Sequence, residues 1–244
     1  MIRHIYTLVL SAAFLLVPLC AMAQDFGLDI NLGLKKKIIK GLNIAAEFEL
    51  RTQDMSSEME RIDAGIDISY KPIDYFKFGI GYNFIDKYKL KHETSKGNIV
   101  DNYWSPRHRA SAYITGIVPV DNFEISLREK YQFTHRSESS VKKWSSSGTA
   151  KDNKVYEAKN DHVLRSRVLA QYNIEPVDLS PYFSIELYND LTNSFAIDKL
   201  KLTAGMGYSP VKNHVFDLFY RYTAGIADPD DECHLLGIGY EFKF

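Results

Sequence analysis

Phe76-Lys77-Phe78-Gly79-Ile80-Gly81-Tyr82-Asn83-Phe84 decides the fold. Every second residue is large and apolar, while the positions between hold a lysine, two glycines and an asparagine. Side chains along a strand point alternately to opposite faces, so this period of two describes a strand with one oily and one polar face. The pattern runs back through Ile62 to Tyr70, Leu42 to Leu50 and Phe26 to Leu34. Forward it recurs at 110–114, 123–133, 164–172, 183–187, 200–208, 216–222 and 236–244, which makes eleven segments in all.

A soluble sandwich or lipocalin-like barrel alternates too, but two features point elsewhere. Aromatics collect at the segment ends. Tyr70, Tyr75, Phe76, Phe123, Tyr172, Tyr182, Tyr208, Phe216, Phe242 and Phe244 mark one rim, and Tyr82, Phe84, Tyr131, Phe133, Tyr220 and Tyr222 mark the other. Such girdles suit the two interfaces of a bilayer. The connections also alternate between tight turns, as at Val118-Pro119-Val120-Asp121-Asn122 and Ser209 to Asn213, and long polar loops, notably 86–106 and 136–160. That asymmetry belongs to outer-membrane barrels, whose closed sheet leaves no backbone group unpaired in lipid. The expected fold is all-β: an antiparallel transmembrane β-barrel of about 10–12 strands with short periplasmic turns and longer external loops. Bacterial single-chain barrels usually hold an even number of strands. Eleven segments therefore imply that the first is not a full wall strand or that a twelfth is hidden, with a parallel closure as the rarer alternative.

The N-terminus fits an exported protein bound for the outer membrane. Met1-Ile2-Arg3-His4 precedes an apolar stretch from Ile5 to Leu19 and the motif Ala21-Met22-Ala23. This is the plan of a cleaved signal peptide over residues 1–23, leaving 24–244 as the barrel. The apolar stretch is shorter than a membrane-spanning helix needs, and Leu19 is too bulky for lipid attachment at Cys20. Cleavage leaves Cys233 alone, so no internal disulfide forms. Thirty basic against 31 acidic residues give no electrostatic case for nucleic acid. Two cysteines exclude a multi-cysteine zinc or iron–sulfur site, and no cofactor is expected.

The closing Gly237-Ile238-Gly239-Tyr240-Glu241-Phe242-Lys243-Phe244 is similar to the C-terminal aromatic signal of outer-membrane barrels. That likeness implies reading of Tyr240, Phe242 and Phe244 by the barrel assembly machinery. Arg165-Ser166-Arg167 with Tyr172, Pro181-Tyr182, Glu186 and the Phe48-Glu49-Leu50-Arg51 run resemble an uncharacterised family of Gram-negative barrels, domain of unknown function 2490. The resemblance covers nearly the whole mature chain and implies no activity.

With the apolar set facing lipid, the intervening residues face the lumen. The second and third segments contribute Glu47, Glu49, Arg51, Asp63 and Asp67, and the fifth to seventh contribute Arg107, Arg109, Arg128, Lys130, Arg165 and Arg167. Glu186, Asp217 and Arg221 follow. An acidic wall facing a basic one sets a transverse field across a narrow pore and orients charged or sugar-like solutes. The competing outcome is that the same charges pair and plug a small barrel. The expected function is a narrow porin-like channel without catalysis, in contact with outer-membrane lipid and lipopolysaccharide. The alternatives are a closed structural or surface-binding barrel working through its external loops, and an outer-membrane lipid hydrolase. For the last, His162 and Ser166 share a face, but four residues along a strand span about 13 Å, and no G-x-S-x-G nucleophile motif occurs. Asp228, Asp230, Asp231 and Glu232 are read as a solvated acidic turn around Pro229 rather than a metal loop. Ser145-Ser146-Ser147-Gly148 reads as flexible loop, and Trp104 and Trp144 as loop-packing residues.

Overall fold

A computed structural model describes residues 26–53, 57–227 and 232–244. The expected leader at 1–23 and the acidic residues Asp228, Asp230 and Asp231 lie outside the described residues. The chain begins with β1 (Phe26–Ile39), β2 (Leu42–Gln53), β3 (Glu58–Ile73) and β4 (Phe76–Lys89). Two short strands, β5 (His92–Glu93) and β6 (Ile99–Val100), precede β7 (Tyr103–Val120) and β8 (Phe123–Arg136). A further pair, β9 (Ser139–Trp144) and β10 (Ala150–Tyr156), leads to β11 (Lys159–Tyr172). After a short 3-10 turn at Glu175–Val177 come β12 (Leu179–Asp190), β13 (Ala196–Tyr208), β14 (His214–Gly225) and β15 (Cys233–Lys243).

Eleven of these strands close into one barrel in the order β1-β2-β3-β4-β7-β8-β11-β12-β13-β14-β15. Successive strands pair antiparallel, but the closing seam, β1 against β15, is parallel, from Phe26 beside His234 to Lys35 beside Lys243. The expectation of an antiparallel barrel holds for every pair but the closing one, and the strand number, expected at about 10–12, is eleven, closed by the rarer parallel alternative. The Phe26 segment is a full wall strand, and no twelfth joins the wall among the described residues. The reason is geometric: a meander reverses at every turn, so its first and eleventh strands run the same way and only a parallel ladder can join them. The Phe244 amide donates to the Lys35 carbonyl at 2.9 Å and the Lys37 amide to the Phe244 carbonyl at 3.1 Å, which carries the seam to the last residue.

The period of two becomes an outside and an inside. Ile30, Leu32, Phe78, Ile80, Ile125 and Leu127 are exposed on the outer face, whereas Asp29, Arg51, Asp63, Ser111, Gln132 and Glu186 are buried on the inner one. A soluble barrel keeps its apolar face inward; this one is inverted. Rings border the apolar band. At the short-turn end Phe123 packs on Tyr172 with centroids 4.6 Å apart, and His214 on Phe242 at 5.1 Å. At the other end Tyr82 Oη and His108 Nδ1 share a hydrogen bond of 2.7 Å.

The two long connections build a second sheet, in the order β10-β9-β6-β5. Val100 and Val141 are its buried apolar centre. Trp144 Nε1 donates to Asp101 Oδ2 at 2.9 Å, Tyr103 stacks on Tyr156 at 5.1 Å, and Trp104 packs on Tyr88 at 5.0 Å. Ser145–Gly148, read as flexible loop, is the turn joining β9 to β10. The Ser145 amide closes it on the Thr149 carbonyl at 2.8 Å, with Gly148 at a φ of +81° that favours glycine.

One glycine of the wall has a direct packing role. A Cβ at Gly79 on β4 would overlap the Tyr113 ring of β7, which lies across β4 so that its hydroxyl donates to Asp67 Oδ1 on β3 at 2.9 Å. Gly79→Val is expected to push that ring into the lumen and cost roughly 1–3 kcal/mol by overpacking. Urea unfolding checks it as a lower midpoint at unchanged slope; an unmoved midpoint would show that Tyr113 has an equally good seat elsewhere.

Candidate functional site

The inner faces enclose a polar lumen with a cavity of about 880 Å³. Glu47, Glu49, Arg51, Asp63 and Asp67 line it from β2 and β3, and Arg107 and Arg109 from β7. Arg128 and Lys130 line it from β8, Arg165 and Arg167 from β11, Glu186 from β12 and Arg221 from β14. Asp217, also expected there, borders a smaller cavity of about 330 Å³ beside Gly33, Glu47 and Glu241.

The β2–β3 wall mixes its signs, whereas the lumen residues named above on β7, β8 and β11 are all cations, and cross-strand contacts draw the charges into two networks. In the first, Glu49 accepts from Arg51 at 2.9 Å and from Arg61, and Arg51 also reaches Asp29 at 2.9 Å. Asp29 has a fully buried side chain and takes a second guanidinium, Arg221, at 3.0 Å; that arm extends from β14 over β15 to β1. The second network centres on Glu186, which accepts from Arg165 at 2.6 Å, Arg128 at 2.8 Å and the Tyr188 hydroxyl at 3.2 Å. The Arg165 guanidinium stands over the Tyr188 ring at 4.5 Å, and Lys201 lies 4.8 Å from the same ring. Asp63 accepts from Asn83 Nδ2 at 2.8 Å, Asp67 from Tyr113, and Asp217 from the Tyr182 hydroxyl at 2.9 Å.

The register also sets like charges against each other. Arg165 lies opposite Lys130 and Arg167 opposite Arg128 across β11 and β8, and Arg107 lies opposite Arg136 across β7 and β8. Directly paired residues hold their Cβ atoms about 4.5–5.5 Å apart, where like charges oppose folding. Among the described residues, Arg107, Lys130 and Arg167 have no carboxylate within ion-pair distance, and Glu186 alone serves Arg128 and Arg165. The Nε atoms of Arg107, Arg128, Arg165 and Arg167 are buried without a hydrogen-bond partner among those residues. Three adjoining strands thus hold a cluster of fixed donors whose geometry matches carboxylate or phosphate oxygens.

The structure does not assemble a hydrolytic centre from Ser166 and His162. Ser166 Oγ donates to Glu129 Oε2 at 2.7 Å, while His162 Nδ1 shares a hydrogen bond of 2.7 Å with Tyr131 Oη. Both lie on the outer face. Of the C-terminal aromatics, Tyr240 Oη meets His214 Nδ1 at 2.9 Å, and Phe242 and Phe244 stack at 5.7 Å beneath Lys36. Glu232, the described member of the acidic turn, accepts from the Tyr222 hydroxyl at 2.9 Å.

Sequence reasoning passed over Asp29, Tyr113, Tyr188 and Lys201 as site residues. Asp29 stands between Leu28 and Ile30, so the alternation marks it as inward, but its two guanidinium partners come from register and curvature.

Solved structures share this architecture. The β domain of the Bordetella autotransporter BrkA aligns with 84% of this chain and 82% of its own, 13% identical, at a TM-score of 0.51. The translocator domain of the autotransporter NalP from Neisseria meningitidis aligns with 78% of this chain and 72% of its own, 12% identical, at 0.51. The NanC porin aligns with 89% and 100%, 15% identical, at 0.45. At such identities the likeness to the two autotransporter domains is one of fold, and that fold is the one of outer-membrane barrels. No curated protein matches the chain. The family described as "Protein of unknown function (DUF2490)" matches residues 29–232, nearly the whole barrel. The chain belongs to that family.

Proposed function

We propose that this chain is an exported outer-membrane barrel and a narrow channel for small anionic or sugar-like solutes, acting without catalysis. The exterior supports the membrane setting: an apolar band with aromatic rims is what a bilayer requires, and a closed sheet satisfies every backbone group inside it. The short turns and the C-terminal aromatics then lie on the periplasmic side and the β10-β9-β6-β5 sheet outside the cell. The observation that carries the channel reading is the set of opposed cations Arg165/Lys130, Arg167/Arg128 and Arg107/Arg136 on the lumen face. A barrel that needed only to be filled would gain by alternating the signs. Keeping like charges opposite one another costs stability, and their field at the wall of a water-filled cavity attracts anions.

The test is conductance of the refolded chain 24–244 in a planar bilayer. Salt-dependent steps with a preference for chloride over potassium are expected. Lys130→Gln with Arg167→Gln removes two cations that hold no ion pair and is expected to lower that preference several-fold, roughly the effect of removing two unit charges from a narrow pore. An unchanged preference sinks the assignment of these residues. A folded but silent barrel favours the second reading, a closed barrel that binds through the outer sheet, which the buried Val100 and Val141 hold as an ordered unit.

A further inference from the structure

The outer wall carries a feature that an apolar exterior does not need. Glu129 lies on the outward face of β8, two positions from Tyr131 in one rim and six from Phe123 in the other, so it stands within the apolar band. Its neighbour on one side is Ile114 of β7 and on the other Ser166 of β11, whose hydroxyl donates to Oε2 at 2.7 Å. Toward the long-loop end the same two strands carry a hydrogen bond of 2.7 Å between Tyr131 Oη and His162 Nδ1, then one of 2.8 Å between His135 Nδ1 and Asn160 Oδ1. A stripe of polar pairs therefore descends from the external rim into the oily wall. Among the described residues no other carboxylate faces outward between the aromatic rims.

An ionisable side chain facing hydrocarbon is costly, and where one persists it marks a function. Ser166 occupies one acceptor position of a carboxyl that offers about four. Water is absent at that depth, and the chains of an ordinary diacyl phospholipid bring no donor. A lipid whose acyl chains hang from amides and carry hydroxyl groups near their heads brings N–H and O–H donors just below the headgroup, which is the level of Glu129. Resting on the membrane setting proposed above, we propose that the outer face of β8 and β11 binds one external-leaflet lipid of this chemistry, an acylated amino sugar of the lipopolysaccharide type. Glu129 and Ser166 engage the amide and hydroxyl groups of its chains, while His135, Asn160 and His162 border its sugar head.

The chain 24–244 is refolded into phosphatidylcholine vesicles with and without lipopolysaccharide, and flotation establishes insertion. Native mass spectrometry then reads lipopolysaccharide retained by the extracted barrel. Wild type is expected to hold it about tenfold more tightly than Glu129→Leu, the scale of one hydrogen bond to a charged group lost. Glu129→Gln, which keeps an acceptor, is expected to retain most of that affinity. Equal retention by wild type and Glu129→Leu, both inserted, overturns this inference and leaves the channel reading untouched. A dimer present in wild type and lost in Glu129→Leu also overturns it, by assigning the stripe to contact between copies. Chains that stay outside the vesicles overturn the membrane setting itself.

Discussion

Replacing Glu186 by alanine is expected to destabilise the barrel by about 3–5 kcal/mol, the usual cost of stranding a buried charge partner. Glu186 is the carboxylate shared by Arg128 and Arg165, and it donates nothing in return. Without it, Arg128, Lys130, Arg165 and Arg167 stand on two adjoining strands, with Lys201 nearby on a third and no acid among them. The measurement is urea unfolding of the refolded chain, followed by tryptophan fluorescence. Removing Arg165 as well should restore part of the loss, because that double variant also relieves the Arg165/Lys130 opposition. If the two substitutions merely add, the residues are not coupled and the network has been misread.

Asp29→Ala is the second large effect. Its carboxylate is buried and accepts from Arg51 on β2 and Arg221 on β14, so it ties strands on both sides of the parallel seam. The arm from β14 crosses β15 over its glycine face: Asp29 is paired with Gly237, against which Phe219 also packs. The loss is expected to be again about 3–5 kcal/mol, because the Arg221 guanidinium is left without its carboxylate while Arg51 keeps Glu49. It falls on the seam, where the ladder is parallel and slightly weaker per residue. Hydrogen exchange should therefore rise first at the β1 and β15 amides. Protection lost evenly around the barrel would show that Asp29 stabilises the whole wall rather than its closure.

All eleven wall strands are legible in the alternation, because a wall with an apolar outer face and a polar inner one imposes period two on every strand it contains. Their ends are less so. The run read as loop from Asp86 to Pro106 gives β4 up to Lys89 and β7 from Tyr103, since pairs such as Lys87 with Ser105 prolong the ladder past the apolar band, where alternation no longer has to hold. Parity stayed open for a related reason: the count of eleven stood against the even-number habit of bacterial barrels, and nothing in the composition of Phe26 to Leu34 reveals that its partner runs parallel. At the site, the inward residues could be named but not matched. That Arg167 faces Arg128, or that Arg221 reaches Asp29, depends on register, which follows from turn lengths and one-residue shifts such as that between Arg51 and Thr52. Glu129 could be found as an exception, a charge on the apolar phase of β8, though only the register shows that Ser166 meets it.

The parallel seam also gives the molecule a polarity of attachment. In an even-stranded meander both chain ends return to one mouth. Here Phe26 opens β1 at the mouth that carries the β10-β9-β6-β5 sheet, while Lys243 ends β15 at the opposite mouth among the short turns. The two ends of the wall can therefore be labelled independently, one at each mouth of the barrel.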